Sequence, residues 1–258
     1  MLCLYLEAPF AACRTFTAGW HRPTAGFLTY SAAYGLILNV AGIENRLREE
    51  DGGHDGETPA SLMQPGLPRA CLALGVPVFD EQREPFPRVQ TILQQLHNYP
   101  VGKDAGIPQE LAKGNKNNIT PVRREILCNL RAIVCLDNNP EIEERTRQGL
   151  AGKFNSKRYG LPFLGDNQYL LNRLEEIPWP LPPKYERVHW YERIEQSNAE
   201  GPRARTTRLT IWIDRANLSL TQSALYAPSE RPSSQPSTQA WTQISPPTEA
   251  SESGKPQP

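Results

Sequence analysis

The sequence predicts an α+β fold, and three stretches carry that prediction. Leu2-Cys3-Leu4-Tyr5-Leu6-Glu7 alternates with a period of two, which places Leu2, Leu4 and Leu6 on one face of a strand. In AAYGLILNVAGIENRL, Leu36, Val40, Ile43 and Leu47 recur at spacings of four, three and four, the pattern of an amphipathic helix with Ser31 available as its N-cap. Beyond Trp179, HWYERI and TRLTIWIDRANLSL alternate as two strands of a smaller β region spanning 176–226.

The remaining elements follow in order. The run APFAACRTFTAGWHRPTAGF, rich in Pro, Gly and Thr, continues neither strand nor helix and is expected to be a long loop. EEDGGHDGETPAS is an acidic, glycine-containing insertion, most simply a solvated loop. ACLALGVPVF reads as a strand, and RVQTILQQLHNY fits a strand or a helix. KDAGIPQELAKGNKNN lacks a sustained apolar period, and VRREILCNLRAIVCL after it is apolar and β-branched enough for a strand returning to the core. Asn138-Asn139-Pro140 caps a short Glu- and Arg-rich helix ending near Gly149. Residues 227–258 hold 7 Pro and 7 Ser but only five apolar residues, so they are expected to form a disordered tail.

At 258 residues the chain suits one large domain with at most a small companion. Lys+Arg and Asp+Glu both number 28, so no global basic field marks a nucleic-acid or membrane partner, and such a site must be a local cluster. Five cysteines without C-x-x-C spacing argue against a zinc site or a disulfide framework and fit a reducing cytoplasm. No apolar run of 18 residues and no secretory signal occurs, which predicts a protein that neither crosses a membrane nor is exported. The common nucleotide-binding and hydrolase motifs are missing, and neither a cofactor nor a metal is implied.

Two local clusters stand out. In the first, Arg14, His21 and Arg22 supply phosphate-directed donors and Thr15, Thr17 and Thr24 supply hydroxyls. Phe16, Trp20 and Phe27 offer flat faces for an unpaired base. The same composition also suits a surface loop whose aromatics anchor the core. In the second, Lys113, Lys116, Arg123 and Arg124 would grip a phosphate backbone if the chain around 100–124 projects as a hairpin, although such a charge run is commonly a solvated face. His21 is the one histidine set among cations and aromatics, as a metal-free ribonuclease would need.

The strings EAPFAACRTFTAGWHRPTAGF, YSAAYGLILNVAGIE, PVRREIL and RYGLPFLGDNQYLL together resemble the fifth CRISPR-associated protein family, closest to its DevS-like branch, over Leu2 to about Leu171. The resemblance implies a ferredoxin-like, RNA-recognition-type domain over 1–175, with a protruding hairpin thumb at about 100–124 and a small C-terminal β region. It implies a subunit of a type I Cascade complex that caps the 5′ handle of the CRISPR RNA, touches the backbone and large subunits, and reaches target DNA through the complex, with Ser31 and Tyr34 joining the RNA-binding residues. One lineage of the family cuts precursor RNA with Tyr, Lys and His. Here His21 would have only Tyr30 or Tyr34 and no nearby Lys, so a noncatalytic role in antiviral defence is expected, with endoribonuclease action or RNA-guided transposition as alternatives.

Overall fold

One strand organises the chain. The computed structural model describes residues 1–15, 21–46, 63–64, 66–100, 117–154, 160–194, 203–215 and 217–246. In chain order these form β1 (Leu2–Ala11), β2 (His21–Arg22), α1 (Tyr30–Val40), β3 (Ala70–Pro77), β4 (Arg88–Pro100), β5 (Asn117–Asp137), α2 (Pro140–Leu150), β6 (Arg173–Ile177), β7 (Val188–Arg193), β8 (Thr207–Trp212), β9 (Gln222–Pro228) and β10 (Trp241–Ile244). The fold is thus mixed α/β, a large, mostly antiparallel sheet with two helices. Its path runs β6-β1-β5-β3-β7-β9-β8, and β5, the longest strand, lies inside it with antiparallel partners on both sides.

With the short β2 and the hairpin strand β4 set aside, the elements from β1 to β6 read β-α-β-β-α-β, with the four strands in the order fourth, first, third, second and every neighbouring pair antiparallel. The alternation of β1 has the expected effect. Leu2, Leu4 and Leu6 pack with the apolar side of α1 and Ile142 of α2, whereas Cys3 and Tyr5 face a second cluster with Ile133, Tyr185 and Trp190. Both faces of the central sheet are therefore buried, and its strands read as near-continuous apolar runs.

α2 forms as its sequence predicts: Asn139 accepts from the Ile142 amide and Pro140 opens the first turn. α1 differs at both ends. Its cap is Thr29, whose hydroxyl accepts from Ala32 N, and Ser31 lies inside the first turn. The helix stops at Val40, and Gly42 then turns the chain at φ 65°, so Ile43 does not continue it, and Leu47 lies outside the described residues. RVQTILQQLHNY is a strand, and the projecting hairpin is longer than 100–124. β4 pairs with β5 from Arg88↔Cys128 outward to Pro100↔Asn117, and residues 101–116, with Lys113 and Lys116, lie outside the described residues. Asn129, at φ 58°, marks the irregularity where β5 leaves this hairpin and enters the core.

Three expectations are corrected. Residues 227–246 are not a disordered tail: β10 pairs with β3 from Trp241↔Ala73 to Ile244↔Ala70, and Ser233 exchanges backbone hydrogen bonds with Val188. The few apolar residues there are nearly all used, since Ala227, Ala240 and Ile244 are fully buried, and Thr242 is satisfied by the Tyr226 hydroxyl at 2.8 Å. Residues 247–258 lie outside the described residues. Second, the C-terminal strands are continuous with the main sheet. β7 joins β3 where Gly75 lets Val188 and Trp190 approach, for a Cβ there would stand 2.3 Å from Val188 Cγ1. Leu218–Leu220 is a short 3-10 turn rather than part of a strand, and the third strand is β9. Third, two cysteines pair: Cys3 and Cys135 are register partners across β1 and β5, their Cα atoms 4.2 Å apart, and they form a disulfide. Sequence spacing, 132 residues, hides a partnership that strand register creates.

Candidate nucleic-acid interface

The loop after β1 is pinned down by its own polar groups. Ala12 N donates to Leu164 O at 3.1 Å, and Ala25 N donates to Cys13 O at 2.7 Å, so the incoming and outgoing arms run side by side with Arg14 opposite Thr24. Thr24 Oγ1 accepts from Cys13 N at 2.9 Å and donates to Cys13 O at 3.3 Å. Its hydroxyl is a clamp for the loop. Thr15 donates to Pro23 O at 3.4 Å across the same neck. Burial pushes the Cys13 thiol up to about 11. Phe27 is a core anchor, stacked on Tyr191 with ring centroids 4.3 Å apart. Phe16, Thr17 and Trp20 lie outside the described residues.

The returning arm then pairs with β5 in parallel, His21 opposite Arg123 and Arg22 opposite Arg124. This joins the two clusters that stand a hundred residues apart in the sequence. Glu125 locks the junction: one carboxylate oxygen lies 3.2 Å from His21 Nε2 and the other accepts from Thr24 N at 3.1 Å. Arg22 feels the crowding. Burial first, then the positive charges of Arg14 and Arg124, hold its pKa below the ordinary arginine value.

The cations differ in what they have to spare. Arg124 is buried, donates to Asp166 Oδ2 at 2.6 Å and Gln94 Oε1 at 3.0 Å, and lies over the Tyr169 ring. Its fork is committed to holding the hairpin base against the 160–171 segment. Arg14, Arg22 and Arg123 have no carboxylate partner among the described residues, and Arg14 and Arg123 are exposed. They leave donors for an incoming anion. Ser31 Oγ lies 3.2 Å from Thr29 Oγ1, and Tyr34 donates to Pro68 O at 2.7 Å. Tyr30 donates to Ala240 O at 3.2 Å from a fully buried position, and burial holds both tyrosine pKa values above normal.

Sequence reasoning overlooked Asp166 and Tyr169, although both lie in RYGLPFLGDNQYLL, and passed over Glu125 beside the Arg123–Arg124 pair. It also missed Arg215, which follows β8 and comes near enough to Arg14 to feel its charge. Among the described residues no helix is long and apolar enough to cross a membrane.

No protein-family model and no curated protein matches the chain. Among solved structures, a chain of a "CRISPR RNA-guided surveillance complex" is similar over 90% of both chains, with a TM-score of 0.50 and 12% identity. A "Crystal structure of Cas protein" is similar over 90% of this chain and 95% of that one, with a TM-score of 0.45 and 13% identity. The likeness to the surveillance-complex chain is one of fold.

Proposed function

We propose that this chain is a noncatalytic RNA-binding subunit of a type I CRISPR Cascade complex, holding the 5′ handle of the CRISPR RNA on the face built by Arg14, Arg22 and Arg123. The β-α-β-β-α-β order with its fourth-first-third-second sheet is read as a ferredoxin-like domain, and the β4–β5 hairpin as its thumb. The observation that carries the reading is the parallel pairing of β2 with β5, which gathers into one surface cations that lack a carboxylate partner among the described residues and that the neutral chain keeps in separate segments. Such a surface suits single-stranded RNA, whose backbone is a line of phosphates. Backbone and large subunits would meet the RNA on either side, and target DNA would be reached through the complex in the cytoplasm, as antiviral defence.

A noncatalytic role is supported by the tyrosines. His21 faces Glu125, and the hydroxyls of Tyr30 and Tyr34 are turned into carbonyls of the fold, so they do not complete a base–acid pair with it. The test is incubation of the protein with labelled repeat RNA in EDTA, beside a binding measurement. Retention of intact RNA with preference for its handle is expected. Defined product ends lost in His21→Ala would show an endoribonuclease instead.

A further inference from the structure

A cleft of about 640 Å³ lies where the base of the β4–β5 hairpin meets the start of β8, with Glu84, Phe86 and Arg88 on one side and Tyr191, Arg205 and Thr207 on the other. Arg205 shapes it. Its backbone sits at φ 61°, a left-handed conformation that costs a non-glycine residue free energy. Its guanidinium lies 4.5 Å from the centroid of the Phe86 ring, with Nη2 2.9 Å from Glu84 Oε2. Glu84 Oε1 also accepts from Phe86 N at 3.4 Å, so the one acid lining the cleft among the described residues is already engaged.

The donors left over exceed the acceptors. Arg88 is exposed and pairs with no carboxylate among the described residues. Thr207 Oγ1 accepts from Gly26 N at 3.0 Å and keeps its own proton to give, for it meets no acceptor among the described residues. Deepest is Tyr191, 2% exposed, whose ring is stacked on Phe27. Its hydroxyl opens on the cleft, close enough to Arg205 to feel that charge, and hydrogen-bonds to nothing among the described residues. A deep hydroxyl without a partner is where an incoming acceptor gains most.

We propose that the cleft binds a carboxylate carried at the end of an apolar stem. Two guanidiniums against the carboxylate of Glu84 leave a single positive charge, which one incoming carboxylate neutralises. A terminal phosphate carries nearly two negative charges at neutral pH and would be set against Glu84. A phosphodiester within a strand has a sugar on both sides and does not reach a hydroxyl this deep. The carboxylate accepts from Tyr191, Thr207 and Arg88 and shares Arg205 with Glu84, while the stem lies on Pro87 and the half-exposed Val89. Its source is either a free organic acid or an Asp or Glu side chain of a protein neighbour. The inference goes beyond the RNA-binding reading, since Arg14, Arg22 and Arg123 take no part in it.

Calorimetric titration of the full chain tests it, in the wild type, Tyr191→Phe and Arg88→Gln. The probes are N-acetylphenylalanine, its neutral amide, the capped peptide acetyl-Phe-Glu-Phe-amide and phenyl phosphate. The amide, which keeps the stem and loses the charge, should bind at least about tenfold more weakly than the acid. Tyr191→Phe, which keeps the ring on Phe27 and removes only the hydroxyl, should weaken the acids by about tenfold, and Arg88→Gln by about threefold. Tighter binding of the peptide assigns the site to a protein neighbour, and tighter binding of N-acetylphenylalanine assigns it to a free acid. Absence of binding by both acids, equal binding of acid and amide, acid binding that ignores both substitutions, or phenyl phosphate binding more tightly than either acid overturns the inference. Single-stranded RNA should bind Tyr191→Phe as it binds the wild type, and a loss there would give the cleft to RNA instead. Acid binding by a wild type that binds no RNA would keep the cleft and remove the RNA-binding reading.

Discussion

The two halves of β5 are built from similar residues and put to opposite uses. From Leu130 to Leu136 the strand is flanked by β1 and β3, with six of its seven residues almost wholly hidden and Cys135 bound to Cys3. From Pro121 to Cys128 it is flanked by β4 and the short β2, and its side chains divide. Arg124, Ile126 and Cys128 turn toward Ile92, Gln94, Asp166 and Tyr169, while Arg123 stays exposed beside Leu93, itself 73% exposed. The same strand thus serves as core and as platform. What separates the roles is the neighbour on each side: a carboxylate at Asp166 turns Arg124 into a strut, and the absence of one beside Arg22, among the described residues, leaves that arginine for a ligand.

The largest expected effect tests the core half. Opening the disulfide by Cys3→Ser with Cys135→Ser frees a loop of 132 residues in the unfolded chain, and chain-entropy reasoning predicts a loss of about 5 kcal/mol in urea unfolding. Unchanged stability would mean that the packing around Tyr5 and Trp190 holds β1 to β5 without the bond.

Next comes the strut. Arg124→Ala leaves Asp166 without its cation and should cost about 3 kcal/mol, the low end for a broken buried pair because Asp166 keeps 21% of its side chain in water. Arg124→Met with Asp166→Leu should recover most of it. If the single variant unfolds like the wild type, Arg124 is not a strut and belongs with the ligand-facing cations.

A comparable loss, about 2 to 3 kcal/mol, is expected for Ile244→Ala, since Ile244 is fully buried on β10 against β3. A change within about 0.5 kcal/mol would return β10 to the surface.

The smallest effect on stability falls on the platform. Arg22→Ala and Arg123→Ala should change unfolding by no more than about 0.5 kcal/mol while weakening RNA binding by about 1 to 3 kcal/mol. Loss of stability without loss of binding would reverse the assignment of the two halves.

Local patterns that depend on neighbouring residues were legible. The alternation of Leu2, Leu4 and Leu6 and the Asn139-Pro140 start of α2 each follow from short-range rules, and the structure has them where those rules place them. Features that depend on distant pairing were not. β10 looks like tail because composition counts apolar residues and cannot count the backbone partners that β3 supplies to Trp241–Ile244. Cys3 and Cys135 look unpaired because only register brings them together. Within the candidate site, the cation-rich loop and the Arg123–Arg124 pair were visible as separate clusters. Their junction was not, for it rests on a two-residue parallel pairing and on Glu125, whose charge in sequence merely offsets its neighbours. Arg215 stood in a strand-like run with nothing to mark it as a neighbour of Arg14.

The most direct measurement is the salt dependence of single-stranded RNA binding by the wild type and by Arg14→Ala, Arg22→Ala and Arg124→Met with Asp166→Leu. An RNA backbone lying on the Arg14–Arg22–Arg123 face predicts that each of the first two substitutions lowers the log–log salt slope by about 0.7, the value for one phosphate contact to a single strand. The paired replacement behind that face should leave the slope unchanged. Slopes that stay at the wild-type value in Arg14→Ala and Arg22→Ala would contradict this placement of the RNA.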